Sequence, residues 1–183
     1  MVNKTIKIAL IGKTNVGKST LINKFVGEKI SISNKKINTT QDLILGIKNI
    51  SSTQIIFYDT PGSSLIKKTH NNSKFNKSIF WEAINLSDII IYLIDSSKYN
   101  YNYIQSELKI INESGKFIIL VFNKIDLIDN KIKIKFIKEL SSLKFIKEFF
   151  HISAKKNLNI KILVDFILSK AKKGKWLFKS QII

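Results

Sequence analysis

The sequence has no cysteine and no arginine, and only one proline among its 183 residues. Without cysteine there is no disulfide framework, no thiolate metal site and no cysteine nucleophile. Without arginine, no arginine finger can be built into the chain. No apolar run reaches the roughly 18 residues of a membrane span. The start, "MVNKTIKIALIGK", carries no secretory apolar region with a small-residue cleavage site and runs straight into a strand pattern. Acid is scarce as well: 13 Asp and Glu face 31 basic residues, all lysine, for a net charge of +18. Such a surface attracts phosphate backbones. The competing explanation is codon bias, since isoleucine, asparagine and phenylalanine, whose codons are also A/T-rich, crowd the same chain. Length and a 44% hydrophobic share fit one cytoplasmic domain with a full core.

What is present alternates between two periods. Thr5 to Ile11, Gln54 to Asp59, Asp88 to Asp95 and Lys116 to Asn123 are short, β-branched and almost continuously apolar, as strands covered on both faces are. Phe75 to Leu86, Asn102 to Ser114 and Asn159 to Lys173 place apolar residues at three- and four-residue spacing, which predicts helices on a sheet. The alternation predicts an α/β fold with a largely parallel sheet. Leu43 to Ile50, joined to the next strand by a polar "SST", reads as an antiparallel edge. Asp129 to Leu140 alternates lysine with isoleucine, yet its position after "NKID" predicts a helix. The polar stretches Ser33 to Gln41 and Gly62 to Lys74 lack periodicity and read as mobile loops.

The chemistry is carried by "GKTNVGKS", Gly12 to Ser19, set between a strand and a helix. It matches the phosphate loop, whose glycines let backbone N–H groups curl around phosphates at the positive end of a helix. Lys18 is placed for the β- and γ-phosphates and Ser19 for Mg²⁺; Asn15, Val16, Gly17 and Thr20 complete the cradle. "NKID", Asn123 to Asp126, ends a strand at the edge where ligands bind. A carboxylate at Asp126, beside Asn123 and Lys124, accepts from both guanine N1–H and the N2 amino group; adenine offers neither. "DTPG", Asp59 to Gly62, brings a water-mediated Mg²⁺ contact from Asp59 and a γ-phosphate contact from the Gly62 N–H, with Thr60 and Pro61 between them. Thr40, in "NTT", supplies a second hydroxyl for Mg²⁺. "SAK", Ser153 to Lys155 with Ala154 at its centre, covers the base. Five signals, which run along the chain as phosphate loop, "NTT", "DTPG", "NKID" and "SAK", predict a GTP-binding switch of the P-loop NTPase class, a Ras-like G domain, with Lys18, Thr40, Asp59 and Gly62 as the catalytic set. His70 and His151 read as structural or solvated, and the tyrosine-rich Ser97 to Gln105 as a loop-to-helix cap.

With these residues aligned, "GKTNVGKSTLINKFVGEKISISNKKINTTQDLILGI" and "SAKKNLNI" resemble the Era family, bacterial GTPases of small-ribosomal-subunit assembly. The resemblance covers the chain. It implies a six-stranded, mostly parallel sheet with helices on both faces, GTP hydrolysis, and binding to small-subunit ribosomal RNA. In that family the residue type at Asn15 accompanies a K⁺ ion that supports hydrolysis. Three departures stand out: Lys13-Thr14 for the usual Arg-Pro, Asn38 and Gln41 around the paired threonines, and Ser63-Ser64 after "DTPG", where the family tends to have a hydrophobic residue; no Ras-type water-orienting glutamine follows either. The missing glutamine and the absence of any arginine predict slow intrinsic turnover, sped up by K⁺ or by the ribosomal partner.

Two related tasks remain as alternatives: tRNA modification, as in TrmE, and large-subunit assembly, as in Der. The chain lacks the cysteine motif of the first and the second G domain of the other. A third alternative is a basic GTPase touching the inner face of a membrane. The tail sharpens the domain reading. Lys170 to Lys173 are expected to close the last helix, with cations at its negative end and Gly174 as C-cap. Residues 1–173 then form a monomeric G domain. Residues 174–183 resemble the linker by which the family passes into a KH-type RNA-binding domain, absent here, with Trp176 and Phe178 packing on the G domain.

Overall fold

The computed structural model describes residues 2–26, 44–60 and 73–178. Thr40, Pro61, Gly62, His70 and the stretch Ser33 to Gln41 lie outside the described residues. The order is β1 (Lys4–Ile11), α1 (Lys18–Val26), β2 (Ile44–Ile50), β3 (Thr53–Asp59), α2 (Ser73–Leu86), β4 (Ile89–Asp95), α3 (Tyr101–Asn112), β5 (Phe117–Asn123), α4 (Asn130–Leu140), β6 (Ile146–His151), α5 (Ile160–Ser169) and β7 (Lys172–Lys173). The sheet runs β2-β3-β1-β4-β5-β6. β2 is its antiparallel edge, and β3, β1, β4, β5 and β6 are parallel.

The continuous apolar strands follow from this architecture, because alternate residues serve opposite layers. Ile8, Leu10, Ile91 and Val121 face α1 and α5 in one cluster. Ala9, Ile11, Tyr92 and Leu120 face α2, α3 and α4 in the other. Each buried Leu, Ile or Phe side chain contributes about 1.5–3 kcal/mol, so two covered faces make a stable platform. β1 lies between β3 and β4, with chain connections departing to either side. The crevice at its carboxyl end is therefore the topological switch point where ligands bind in open parallel sheets.

Local chemistry sets the helix starts. Asn100 caps α3 by accepting from Tyr103 N at 3.0 Å, and Asp129 caps α4 by accepting from Ile132 N at 2.9 Å. So Asn130–Leu140 is a helix despite its alternation, with Asp129 as its cap, and Ser97 to Gln105 is a cap whose Tyr99 stacks on Phe136 at 3.8 Å. His151, the last residue of β6, stacks on Phe122 of β5 at 4.8 Å; burial, then Lys133, lowers its pKa and keeps it neutral.

The last helix is shorter than its lysine run suggests. α5 ends at Ser169 with Lys170 as C-cap. Lys172 and Lys173 instead pair antiparallel with Thr5 and Lys4 as a seventh strand. Gly174 is consequently no helix cap; its N–H donates to Asn3 O at 3.0 Å. The backbone of this segment is satisfied better by the free flank of β1 than by another helical turn.

The segment then docks on the β2–β3 hairpin. Trp176 Nε1 donates to Ser52 O at 3.1 Å. Gln54, 0% exposed, accepts from Leu177 N and Phe178 N through Oε1 and donates to Phe178 O and Asn49 Oδ1 through Nε2. Phe178 packs against the cluster of Ile56, Tyr58 and Ala83. Gln54→Leu is expected to lower the unfolding free energy by about 1–3 kcal/mol, because backbone groups lose their partner. Trypsin should then cut the 170–178 segment faster; urea denaturation and a digestion time course check both outcomes.

Candidate functional site

Three loops at the carboxyl edge meet around one side chain. Asn123, at the end of β5 and 2% exposed, donates through Nδ2 to Val16 O at 2.8 Å. Its Oδ1 accepts from Ala154 N at 2.9 Å. A single buried amide therefore ties the phosphate loop to the "NKID" loop and to the "SAK" loop. The approach is so close that a Cβ on Gly17 would sit 2.4 Å from Asn123 Nδ2, and Gly17 has φ +101°. Only glycine meets both demands.

Lys124 makes a second tie. It adopts the left-handed conformation with φ 63°, and its ammonium donates to Asn15 O at 2.8 Å and to Asp95 Oδ2 at 2.5 Å. The pairing of Asp95 with Asn123 between β4 and β5 puts Asp95 within that reach. Burial opposes ionisation of Asp95, but hydrogen bonds from Lys124 and Ser97 outweigh it and hold the pKa below the usual carboxylate value. Sequence reasoning missed Asp95. Its only signal is a carboxylate closing an otherwise apolar strand.

Within the phosphate loop, Lys18 Nζ donates to Gly12 O at 2.8 Å and to Lys13 O at 3.2 Å. Lys18 opens α1, so the loop's amides and the helix's positive end face the same space. Ser19 and Thr20 are exposed beside them, and Val16 is buried beneath. Asn15 is exposed with φ 64°. Asp59 ends β3 opposite Leu10 of β1, which brings it to the same edge. Thr60 is buried and its hydroxyl donates to Leu10 O at 2.9 Å, fastening the start of "DTPG" to the strand that feeds the phosphate loop. A hydroxyl oxygen is the hard kind of donor that Mg²⁺ takes, so the exposed Ser19 fits that ion, and the backbone of Asp59 ends at the same edge.

Beyond the end of β5, Asp126 is exposed. A hydrogen bond from the Ser153 hydroxyl holds its carboxyl below the usual value, leaving it ionised and able to accept. Ser153 is buried and accepts from Lys156 N at 3.1 Å, while its backbone pairs with Leu158. The loop carrying Ala154 and Lys155 is thereby closed on itself. Of the sequence-derived site residues, the described ones gather at this edge from β1, α1, β3, β5 and the turn after β6.

Comparison with known proteins agrees with this geometry. Residues 7–124 match the family model of the 50S ribosome-binding GTPase. The GTPase Era of Buchnera aphidicola is 40% identical over 88% of this chain and 57% of its own length. The GTPase Era of Rickettsia bellii is 34% identical over 100% of this chain and 61% of its own. A crystal structure of Era with MgGDPNP and nucleotides 1506–1542 of 16S ribosomal RNA superposes with a TM-score of 0.82 at 35% identity, covering 98% of this chain and 61% of that one. The chain thus spans about three fifths of the length of these relatives. Fold and family match agree that this chain belongs to the 50S ribosome-binding GTPase family, and it is similar to the GTPase Era.

Proposed function

We propose that the chain binds and hydrolyses GTP as the switch unit of a protein acting on the small ribosomal subunit and its 16S RNA. The observation that carries GTP binding is the Asn123 tie, which holds a phosphate loop and a guanine-reading carboxylate in one rigid edge. The matched family's description names the large subunit, but the solved relative at 35% identity holds 16S RNA, and that favours the small one. The +18 net charge supports contact with RNA.

In this reading the loop amides of Asn15 to Ser19 and the Lys18 ammonium hold the phosphates and take up charge as the γ-phosphoryl leaves. Ser19, Thr40 and Asp59 hold Mg²⁺, which supplies charge neutralisation at the phosphates when bound. Asp126 reads the guanine, Ser153 to Lys155 cover it, and the Gly62 N–H senses the γ-phosphate. The sequence offers neither an arginine nor a glutamine after "DTPG", so no residue of those kinds orients the water or completes the charge. Asn15, exposed beside the phosphates, is our candidate contact for K⁺.

Single-turnover GTP hydrolysis at about 10⁻³ s⁻¹ or slower is expected for the isolated chain, in the range of unassisted switches. It should rise several-fold in K⁺ over Na⁺, and again with RNA carrying nucleotides 1506–1542 of 16S but not with a 23S fragment. Equal rates in both cations remove the K⁺ role, equal response to both RNAs removes the small-subunit assignment, and fast unassisted turnover removes the switch reading.

A further inference from the structure

A buried acid on α3 has no part in the chemistry above. Glu107 is 2% exposed and accepts from two tyrosine hydroxyls, Tyr92 of β4 through Oε2 and Tyr103 of α3 through Oε1. Burial, then the Glu107 carboxylate, raises the Tyr92 pKa, so that hydroxyl stays a donor. A carboxylate this deep is costly unless well partnered. Here it locks the ring of Tyr103 in place.

That ring faces the phosphate loop. Lys13 Nζ stands 3.2 Å from the Tyr103 ring centroid, and the carbonyl of Lys13 receives Lys18 Nζ at 3.2 Å. Between the outer side of the loop and α3 lies a crevice of about 130 Å³, lined by Lys13, Asn15, Val16, Asp95, Tyr103 and Ile104 among others. The outer side of the loop therefore lacks the close packing that the strands beneath it enjoy. The Lys13–Tyr103 contact spans the gap.

We infer that Tyr103 and Glu107 are positioning residues that brace the phosphate loop from outside through Lys13. The brace rests on the GTP-binding reading. It deepens that reading by naming what holds the loop in its binding shape before phosphates arrive. Glu107 fixes Tyr103, Tyr103 fixes the Lys13 side chain, and the Lys13 backbone fixes one of the two carbonyls that hold Lys18. Losing the brace lowers the share of loops already in the binding shape, which weakens binding of both nucleotides, while a loop closed on its phosphates meets the transition state as before.

The test begins with GDP and GTP titration of the unmodified chain; failure to bind there overturns the GTP reading itself. If it binds, Tyr103→Leu and Lys13→Met are each expected to raise both dissociation constants by about three- to tenfold, the scale of a partly buried cation–π contact. Hydrolysis at saturating GTP should stay within about twofold. Tyr103→Phe keeps the ring but loses Glu107, and should fall between these and the unmodified chain. The double variant Lys13→Met with Tyr103→Leu should be no weaker than the worse single one, because both break one contact. Additive losses, or unchanged affinity in Lys13→Met, an exposed position that tolerates replacement, overturn the brace. Loss of melting temperature with unchanged affinity overturns it too, since a merely structural role predicts that result.

Discussion

Asn123→Ala should be the most destabilising single substitution at the nucleotide edge: about 2–4 kcal/mol off the unfolding free energy, with GTP affinity down about 30- to 100-fold as well. The side chain is buried and both its polar atoms are used, on Val16 O and Ala154 N. Alanine leaves a carbonyl and an amide without partners where water enters poorly, and each such orphan costs about 1–3 kcal/mol. Asn123→Asp is nearly isosteric, yet should be no better, because it turns a carboxylate oxygen toward the Val16 carbonyl. Gly17→Ala attacks the same tie from the other side, placing its Cβ 2.4 Å from Asn123 Nδ2 at a φ of +101°. Urea denaturation and titration with a fluorescent GDP analogue measure both effects. An Asn123→Ala chain with ordinary stability and affinity would refute the claim that one amide joins three loops.

Asp126→Asn should produce the opposite pattern: a large loss of affinity with the fold intact. Asp126 is exposed in the short turn after β5, so its replacement disturbs no core packing. Its carboxylate, kept ionised by the Ser153 hydroxyl, offers two acceptor oxygens to the two donors of guanine. An amide matches only one of them and opposes the other with its own NH₂. Sites built on such pairs reject mismatched partners by about 10³-fold or more. Xanthosine diphosphate carries a carbonyl where guanine has its amino group, and should recover part of the lost affinity. Parallel calorimetric titrations with GDP and XDP decide the matter; equal GDP binding by the two proteins would refute the assignment of base recognition to this residue.

The two substitutions differ because the site has a scaffold and a reading surface, and they are legible to different degrees. The phosphate loop, "NKID", "DTPG" and "SAK" can be read from sequence because each is local. A turn that must wrap phosphates needs its glycines and lysine at set spacing, whatever packs behind it. The strands are equally legible, since a sheet covered on both faces demands unbroken apolar runs. The helix at 129–140 could be assigned from its place in the order, and Asp129 as its cap confirms the physical reason.

What was not legible depends on residues far apart in the chain. Nothing near Asn123 announces that its amide joins Val16 to Ala154. Nothing near Asp95 announces that Lys124 will pair with it. Gln54 looks like a polar residue starting a strand until Leu177 and Phe178 arrive with two backbone N–H groups. The helix end was misplaced for the same reason. The run Lys170 to Lys173 suits a helix terminus by charge, but the open flank of β1 competes for the backbone of Lys172 and Lys173, and the strand wins.

By itself, then, the sequence determined the class of fold and the motifs on which the proposed GTP chemistry rests, because these follow from short-range backbone demands and from side chains of one type at one place. Tertiary structure alone decided how the pieces are held: the Asn123 tie, the Asp95–Lys124 pair, the Gln54 clamp and the Glu107–Tyr103 platform under Lys13. Each is a buried or half-buried polar contact between distant segments, and its energy depends on the exclusion of water that only the assembled core provides.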